Sequence, residues 1–460
     1  MPGTSRVGTG LLGTFGLALA GLMAYTLAFE GFHGTAPPPR PDAVAAEVAV
    51  FFPDRRDWAH FRRAVAACVA RGLARAVADD DDAVVVAGPK LGRRVRFAWH
   101  GIRGVGETAD AVRRLADGHP APVAVVGSST TVLTVALAGP LRDLGPAGPV
   151  LLIPWATSVR AGLGGLGSAP EKLLEIDRGR TFRFCPDNER LANSVVECLV
   201  EQDPGNAPGR VFLVVDRHDP YSVDLAGGFR RAIGARAPGA EVVERADALG
   251  EPSSPGPPGS APAPSAAEKE LADAIWTAAD EAGEGRTVWA VLPLQGAPTR
   301  RMLVALRRRA SWRAGGRSGG ALRVVTGDGI GRETLDELAG HRPFPIWCAS
   351  TSSARSPDHG VSTDTQELAE IAASLILAVE RSPRPSATAD DVRDALAGLD
   401  LAAGDPSAFG RPLAFGPDGE RRGDPGHVLA VRPGSPSVIE FARGAGGRWE
   451  PAAAPSGARP

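Results

Sequence analysis

The residues best suited to hold a small molecule are hydroxyls that follow two apolar segments. Residues 122–158 read PVAVVGSSTTVLTVALAGPLRDLGPAGPVLLIPWATS, in which VAVV and VLLI have the pattern of buried strands. Ser128 and Ser129 follow the first run, and Thr157 follows the second. In an open parallel sheet, ligands bind beyond the carboxyl ends of the strands, where a helix N-terminus offers free N–H groups. The segment therefore predicts two anion-binding turns at one edge of a sheet.

No pattern for covalent or metal chemistry accompanies these turns. The zinc-binding pattern H-E-x-x-H is absent, and the four cysteines show no C-x-x-C spacing. The glycine-rich segments GIRGVGETAD and GDGIGRE do not give G-x-G-x-x-G after a first strand with an acidic residue downstream. We therefore expect a site that holds a ligand without a metal or cofactor, and we do not expect an enzyme.

Composition narrows the class of partner. The chain has 460 residues, 43% of them hydrophobic, and a net charge of -2, so it has no basic footprint for nucleic acid. Cys185 and Cys198 could form a disulfide in an oxidising compartment, and the alternative is that both are buried free thiols.

Elements alternate between strand and helix on either side of these turns. EVAVFFP reads as the first strand, Trp58 to Val77 as a helix, Asp79 to Asp82 as an acidic loop, and VRFAWHG as the second strand. Thr130 to Leu144 reads as the helix between VAVV and VLLI. Such alternation predicts a doubly wound α/β sheet.

The N-terminus predicts export. Leu11 to Phe29 carry one charge-free apolar run of bilayer-spanning length, preceded by Arg6. We therefore expect residues 1–36 to be a cleaved signal peptide or a retained anchor in the inner membrane, and the protein to be periplasmic or extracytoplasmic. Residues 37–43 form a proline-rich spacer.

Taken with its downstream motifs, the chain resembles the type I periplasmic substrate-binding proteins, in particular the branched-chain amino acid binders of ABC importers. VVGSSTT and LLIPWATS match the turns of that family's first lobe. RTFRFCPDNER resembles its crossover into the second lobe, and RVFLVVDRHDPYSVD, LRVVTGDGIGRE and RPLAFGPDGERRG resemble later segments in the same order. The resemblance covers roughly residues 44–442.

The resemblance implies two doubly wound, Rossmann-like α/β lobes joined by a three-strand hinge, with the ligand between them. Crossovers near Thr181, Ser352 and Leu401 would place residues 44–181 and 353–400 in the first lobe. Residues 182–352 and 401–442 would form the second. We expect a disordered proline-rich insertion at 250–266 and a disordered tail at 443–460.

The same resemblance implies the ligand contacts. In the first lobe, Ser128, Ser129 and Thr157 would bind a carboxylate, with Ala156 in the same turn. Trp155 stands where the family has a small residue, and its indole would reshape the pocket. In the second lobe, Tyr221 would cover the ligand and Asp328 would pair with its ammonium group. Gln295 replaces a family tyrosine, and Trp58 matches a first-lobe aromatic only loosely.

Two functions follow from the resemblance. The first is a solute-binding protein that captures an amino-acid-like or carboxylated ligand for an ABC permease. The alternative is a membrane-anchored sensor or interaction domain of the same fold, which signals through partners.

Overall fold

The structure, a computed structural model, describes residues 44–452 except for fourteen short stretches or single positions. Those outside the description are 103, 119, 163–171, 204–206, 247–248, 250–262, 283–285, 313–321, 331–334, 336–342, 352–364, 424–425, 433–437 and 445, together with both termini. The helices are α1 Arg55–Ala70, α2 Val105–Asp117, α3 Thr131–Asp143, α4 Asn188–Gln202, α5 Pro220–Arg236, α6 Ala266–Glu281, α7 Gly296–Trp312, α8 Gln366–Arg381 and α9 Ala389–Ala397.

The strands are β1 Ala46–Phe52, β2 Arg75–Asp79, β3 Ala83–Ala87, β4 Arg94–Gly101, β5 Ala124–Gly127, β6 Val150–Ile153, β7 Thr181–Arg183, β8 Pro208–Val214, β9 Glu241–Arg245, β10 Thr287–Leu292, β11 Leu322–Thr326, β12 Ile346–Ser350, β13 Asp400–Leu401, β14 Leu413–Ala414, β15 His427–Val431, β16 Val438–Arg443 and β17 Trp449–Pro451.

The first sheet has the order β2-β3-β4-β1-β5-β6-β7. Its strands from β4 to β7 are parallel, so β1, β5 and β6 present their carboxyl ends at one edge. Strand β1 is buried on both faces, with Val50 and Phe52 in one core and Ala49 and Phe51 in the other. Burial on both faces explains why these strands read as continuous apolar runs.

The second sheet has the order β17-β16-β15-β12-β11-β10-β8-β9. Strands β8 to β12 are parallel to one another, and β15 to β17 extend the sheet with antiparallel pairing. Two further cores cover its faces. The predicted fold class, two α/β lobes of mainly parallel strands, is confirmed.

The helix predicted from Trp58 to Val77 is too long. Helix α1 ends at Ala70, because Gly72 adopts a left-handed conformation with φ of +72°. The chain then forms β2, which pairs with β3 in a hairpin. The acidic run is the turn of that hairpin, where the Asp80 carboxylate accepts hydrogen bonds from the amides of Asp82 and Ala83.

Packing also moves one predicted crossover. Leu401, Phe409 and Phe415 belong to the core of the first sheet, so the placement of residues from 401 onward in the second lobe is wrong for this segment. Val428 already packs in the second-lobe core. The third crossover therefore lies between 416 and 427. We call the parts of the chain packed on the first and second sheets the first and second lobes.

Two predictions about the chain's ends have different outcomes. The expected disordered tail from 443 is wrong at its start, because β17 pairs with β16 and Trp449 is buried. Leu11–Phe29 and most of the predicted insertion lie outside the described residues. Within the described part, no helix is both long and apolar enough to cross a bilayer.

All four cysteines are buried free thiols, so Cys185 and Cys198 form no disulfide.

Candidate functional site

The first-lobe turns bring together three buried hydroxyls. Ser128, Thr131 and Thr157 have exposed fractions of 0%, 2% and 1%, at the carboxyl ends of β5 and β6. Among the described residues, none of the three hydroxyl oxygens has a hydrogen-bond partner. An unpaired buried hydroxyl costs free energy. Helix α3 is capped by Thr130, which accepts from the amide of Leu133, so capping does not explain these groups.

Ser129 contacts a carboxylate that the sequence analysis missed. Its hydroxyl bonds to Asp57, in the first turn of α1. Burial, reinforced by repulsion from Asp54, raises the pKa of Asp57 to about 6, although the Ser129 bond and Arg56 act in the opposite direction. An acidic residue in a first helical turn is ordinary, and only the fold shows that this one reaches the β5 turn.

In the turn after β6, the side chains of Trp155 and Ala156 pack on opposite faces of the first sheet. Trp155 is half-buried, and its indole stacks on Phe52 with a centroid distance of 5.5 Å and an interplanar angle of 28°. Ala156 packs in the core on the opposite face of the sheet. Trp155 thus packs against Phe52 at the end of the sheet beside Thr157, and its contact with a ligand stays a prediction.

Arg183, on the first crossover, binds the backbone of the turn that follows β6. Its guanidinium donates to the carbonyls of Thr157 at 3.0 Å and Ser158 at 2.8 Å, and lies 3.7 Å from the carboxylate of Glu420. Burial alone would lower the pKa of Arg183, but Glu420 and further carboxylates raise it above its ordinary value. Arg183 therefore stays charged and fixes the backbone that carries Thr157.

In the second lobe, Tyr221 and Asp328 bond to each other. The Tyr221 hydroxyl donates to Oδ1 of Asp328 at 2.6 Å. Burial raises the pKa of Asp328 to about 6 against the opposing effect of this bond. A Cβ on Gly327 would collide with the Tyr221 hydroxyl and with Leu225, so a glycine is required beside Asp328.

Gln295 belongs to the same group of loops. It is half-buried after β10, and the amide of its neighbour Gly296 donates to the carbonyl of Gly329 at 2.9 Å. The structure therefore brings Tyr221, Gln295 and Asp328 together at one edge of the second sheet. Trp58 is not among the site residues, because it is 1% exposed in the first-lobe core and its Nε1 donates to the carbonyl of Asp81.

Asn188 connects the two halves of the site. Its backbone N–H donates to the carbonyl of Thr157 at 2.8 Å, and its side-chain Nδ2 donates to the carbonyl of Tyr221 at 3.4 Å. It is fully buried at the start of α4, directly after the first crossover. The hydroxyl turns and the tyrosine are thus fixed to one residue.

No protein-family model and no curated protein sequence matches this chain. Solved structures do match. An ABC transporter substrate-binding protein from Desulfitobacterium hafniense, in complex with Leu, is 15% identical, with 88% of this chain and 99% of that chain covered and a TM-score of 0.56. A leucine binding protein from Thermotoga maritima is 14% identical over 86% and 98% of the two chains, with a TM-score of 0.55. The chain has the type I periplasmic-binding-protein fold.

A third solved structure of this fold contains a different kind of ligand, an aromatic acid. A solute binding protein of an ABC transporter from R. palustris, in complex with 4-hydroxybenzoate, is 12% identical over 88% and 95% of the two chains, with a TM-score of 0.55. Identities this low establish the fold alone. The resemblance stated from the sequence is therefore confirmed for the fold, and the eight site residues remain predictions about ligand contact.

A buried charge cluster lies where this binding-protein fold crosses between lobes. Glu370 on α8 accepts from Arg411 at 3.0 and 2.8 Å and from Arg421 at 2.7 Å. Arg421 also donates to the carbonyl of Phe184 on the first crossover, and Arg411 to that of Thr351 on the second. Since Arg421 itself lies on the third crossover, one cluster ties all three together.

Glu367 completes this cluster, at 3.3 Å from Arg411. Burial raises its pKa to about 7; Arg411 opposes the shift and the charge of Glu370 adds to it. Among the residues that the structure describes, no group of three His, Cys, Asp or Glu side chains is arranged to hold a metal ion.

Proposed function

We propose that this chain is an extracytoplasmic solute-binding protein that captures a small amino-acid-like or carboxylated ligand between its lobes for an ABC permease. The observation that carries the proposal is the set of buried, unpartnered hydroxyls of Ser128, Thr131 and Thr157 in a fold whose other lobe presents Asp328. Hydroxyls and helix-start amides suit a carboxylate. A carboxylate suits an ammonium group.

The solved structures of this fold support the ligand class. Leucine and 4-hydroxybenzoate, the ligands in two of them, share a carboxylate, and only leucine has an ammonium group. In this chain, Trp155 on Phe52 supplies an aromatic surface next to Thr157. We infer that the carboxylate is the constant part of the ligand and that Asp328 decides whether an ammonium group is accepted.

Residues 1–36 fit this role as a signal peptide or an anchor in the inner membrane. Either form would place the two lobes outside the cytoplasm, where an importer takes up its solute. The binding reaction requires no cofactor.

A hydroxyl-deletion experiment tests the proposal. Thr157→Val removes a buried, unpartnered hydroxyl and keeps the shape, so the ligand-free protein should become more stable while affinity for the ligand falls about tenfold or more. Ser374→Ala is the matched control, because Ser374 is also buried with an unpartnered hydroxyl but lies on α8 in the first-lobe core. That control should keep full affinity.

The measurements are a thermal-shift screen of amino acids and organic acids, followed by calorimetry of the hits. Asp328→Ala should lower the affinity for an amino acid. The affinity for a carboxylate without an ammonium group should stay the same or rise. A screen without any hit, or hits that bind Thr157→Val and wild type equally, would contradict the proposal. The first outcome would favour the sensor or interaction domain.

A further inference from the structure

A carboxylate of the second lobe reaches the backbone of the first lobe directly beside Thr157. Asp224 lies on α5, where Leu225 and Phe229 pack in the second-lobe core. Its Oδ2 accepts a hydrogen bond from the amide of Val159 at 2.8 Å. The carbonyl of Val159 in turn accepts from the amide of Leu173, which is buried in the first-lobe core. The bond therefore joins the two lobes.

The Asp224 carboxylate depends on donors outside its own helix. Only 8% of its side chain is exposed, and Oδ2 also accepts from Nδ2 of Asn188 at 3.1 Å. Burial raises the pKa of Asp224, and the Val159 amide, the Asn188 amide, Arg183 and Arg160 oppose that shift. If the lobes separated at this point, the carboxylate would lose a backbone donor and would have to be hydrated again.

The position of Asp224 connects both halves of the site. It lies one helical turn after Tyr221 on α5, while Val159 follows Thr157 by two residues. Asn188 bonds to Asp224, to the Tyr221 carbonyl and to the Thr157 carbonyl. A movement of α5 away from the first lobe must therefore break the Asp224–Val159 bond.

We propose that Asp224 is a positioning residue, a latch that holds the lobes together before ligand binds and keeps the Thr157 turn aligned with Tyr221. Its use in ligand capture rests on the proposed function. The latch itself is a property of the ligand-free protein, and it sets the ratio of closed to open molecules.

The first test measures the distance between the lobes in the full-length protein without ligand. Spin labels are placed at Val132→Cys on α3 and Ala235→Cys on α5, both exposed positions. Asp224→Ala should raise the ratio of long to short separations about tenfold, as the loss of one charge-assisted hydrogen bond predicts. Asp224→Asn keeps an acceptor oxygen and should fall between Asp224→Ala and the protein with Asp224 intact.

Glu189→Gln is the matched control. Glu189 on α4 forms an exposed ion pair at 3.0 Å with Arg231 of α5, so it perturbs the same helix without touching the first lobe. This variant should leave the distance distribution unchanged. If Asp224→Ala also leaves it unchanged, the latch does not exist.

The second test is hydrogen exchange at the Val159 amide. Exchange there should become about tenfold faster in Asp224→Ala and several-fold faster in Asp224→Asn, while β5 and β10 keep their protection. Equal loss of protection throughout both sheets would show a general structural role and overturn the latch. If Asp224→Ala does not fold, unchanged Val159 exchange in Asp224→Asn overturns the proposal. Both tests omit ligand, so their failure is distinct from failure of the ligand screen.

Discussion

Tyr221 and Asp328 show how far a sequence resemblance can define a site. The resemblance implied that the tyrosine covers the ligand and that the aspartate pairs with its ammonium group. The structure joins them in one hydrogen bond across 107 positions of sequence. The position of each residue after its strand was predictable from the local pattern. Their bond was not, because it depends on the close approach that Gly327 allows.

Asp57 and Arg183 were missed for a related reason. Asp57 reads as an ordinary acidic residue at a helix start, and Arg183 as one residue of a crossover motif. Their roles arise from contacts with Ser129 and with the carbonyl of Thr157, which are distant in sequence. Such contacts follow from the packing of β1, β5, β6 and the first crossover, which no local pattern specifies.

The first prediction concerns the charge of Asp328. Its pKa in the folded protein is about 6, above the ordinary value of 3.8, so the folded state binds the proton more tightly than the unfolded state does. The contribution of Asp328 to stability is therefore most favourable below pH 4 and declines as the pH rises to about 6. Asp328→Asn removes this decline, and an amide oxygen can still accept from Tyr221.

Melting temperatures from pH 4 to pH 8 check this prediction. Relative to wild type, Asp328→Asn should gain stability across that interval and hold the gain at pH 8. Asp394→Asn is the control, because the Asp394 side chain is 70% exposed. A constant difference between Asp328→Asn and wild type at every pH would mean that Asp328 titrates normally.

At the scale of elements, the strand–helix–strand unit from residue 122 to 158 was predicted closely. Strand β6 has the predicted bounds, and α3 begins and ends within one residue of prediction. The β2–β3 hairpin was missed, because the helical pattern continues past Ala70 and only the backbone at Gly72 interrupts it. The third crossover was misplaced because β13 and β14 are two-residue strands that pack on the first lobe through tertiary contacts.

The charge cluster at the crossovers gives the second prediction. Glu370→Ala leaves Arg411 and Arg421 buried without their shared carboxylate, and breaking a buried pair in this way costs about 3–5 kcal/mol. Glu189→Ala removes only an exposed pair and should cost less than about 1 kcal/mol. Urea unfolding measures both. A loss below about 1 kcal/mol for Glu370→Ala would show that water or a rearranged side chain replaces the carboxylate.

At the scale of the whole molecule, the two lobes were predictable, whereas the contacts between them were not. Apolar runs and helix periodicity predicted a doubly wound α/β sheet, and the family resemblance implied its division into two lobes. Contacts that hold the lobes together use single polar atoms, such as the Asn188 amide on the Thr157 carbonyl. A sequence pattern carries no signal for a bond to a backbone carbonyl.

The third prediction is that the proline-rich insertion can be removed. Residues Ser254 to Ala263 contain only Ser, Pro, Gly and Ala, which offer no large apolar side chain for packing. The flanks have anchors of their own, since Ser265 forms a capping box with Glu268 and Glu268 pairs with Arg301 at 2.8 Å. Shortening a flexible connection changes its loop-closure entropy only slightly.

The deletion should therefore leave the melting temperature and ligand affinity unchanged. Glu268→Ala is the contrasting variant, because it breaks both the capping box and the buried ion pair and should destabilise the protein. A large loss of stability on deletion would show that the segment packs on the second lobe.

The last prediction joins the two lobes through one ligand and one pH change. Under the proposed function, an amino acid would place its carboxylate on the hydroxyl turns of the first lobe and its ammonium group on Asp328 of the second. Because Asp328 has a pKa of about 6 without ligand, it must lose a proton to bind ammonium at pH 5 and is already ionised at pH 8. A plain carboxylate instead meets less repulsion when Asp328 is protonated. Stabilisation by an amino acid should therefore increase from pH 5 to pH 8, and stabilisation by the matching carboxylic acid without the amine should decrease.

At about 100 times its dissociation constant, either ligand should stabilise the fold by roughly 2.7 kcal/mol at its favoured pH. Melting curves with leucine, 4-methylpentanoate, phenylalanine and 3-phenylpropanoate at both pH values provide the measurement. In Asp328→Asn, the opposite trends of the two ligand types should disappear, and if they persist, the pH-dependent group lies elsewhere.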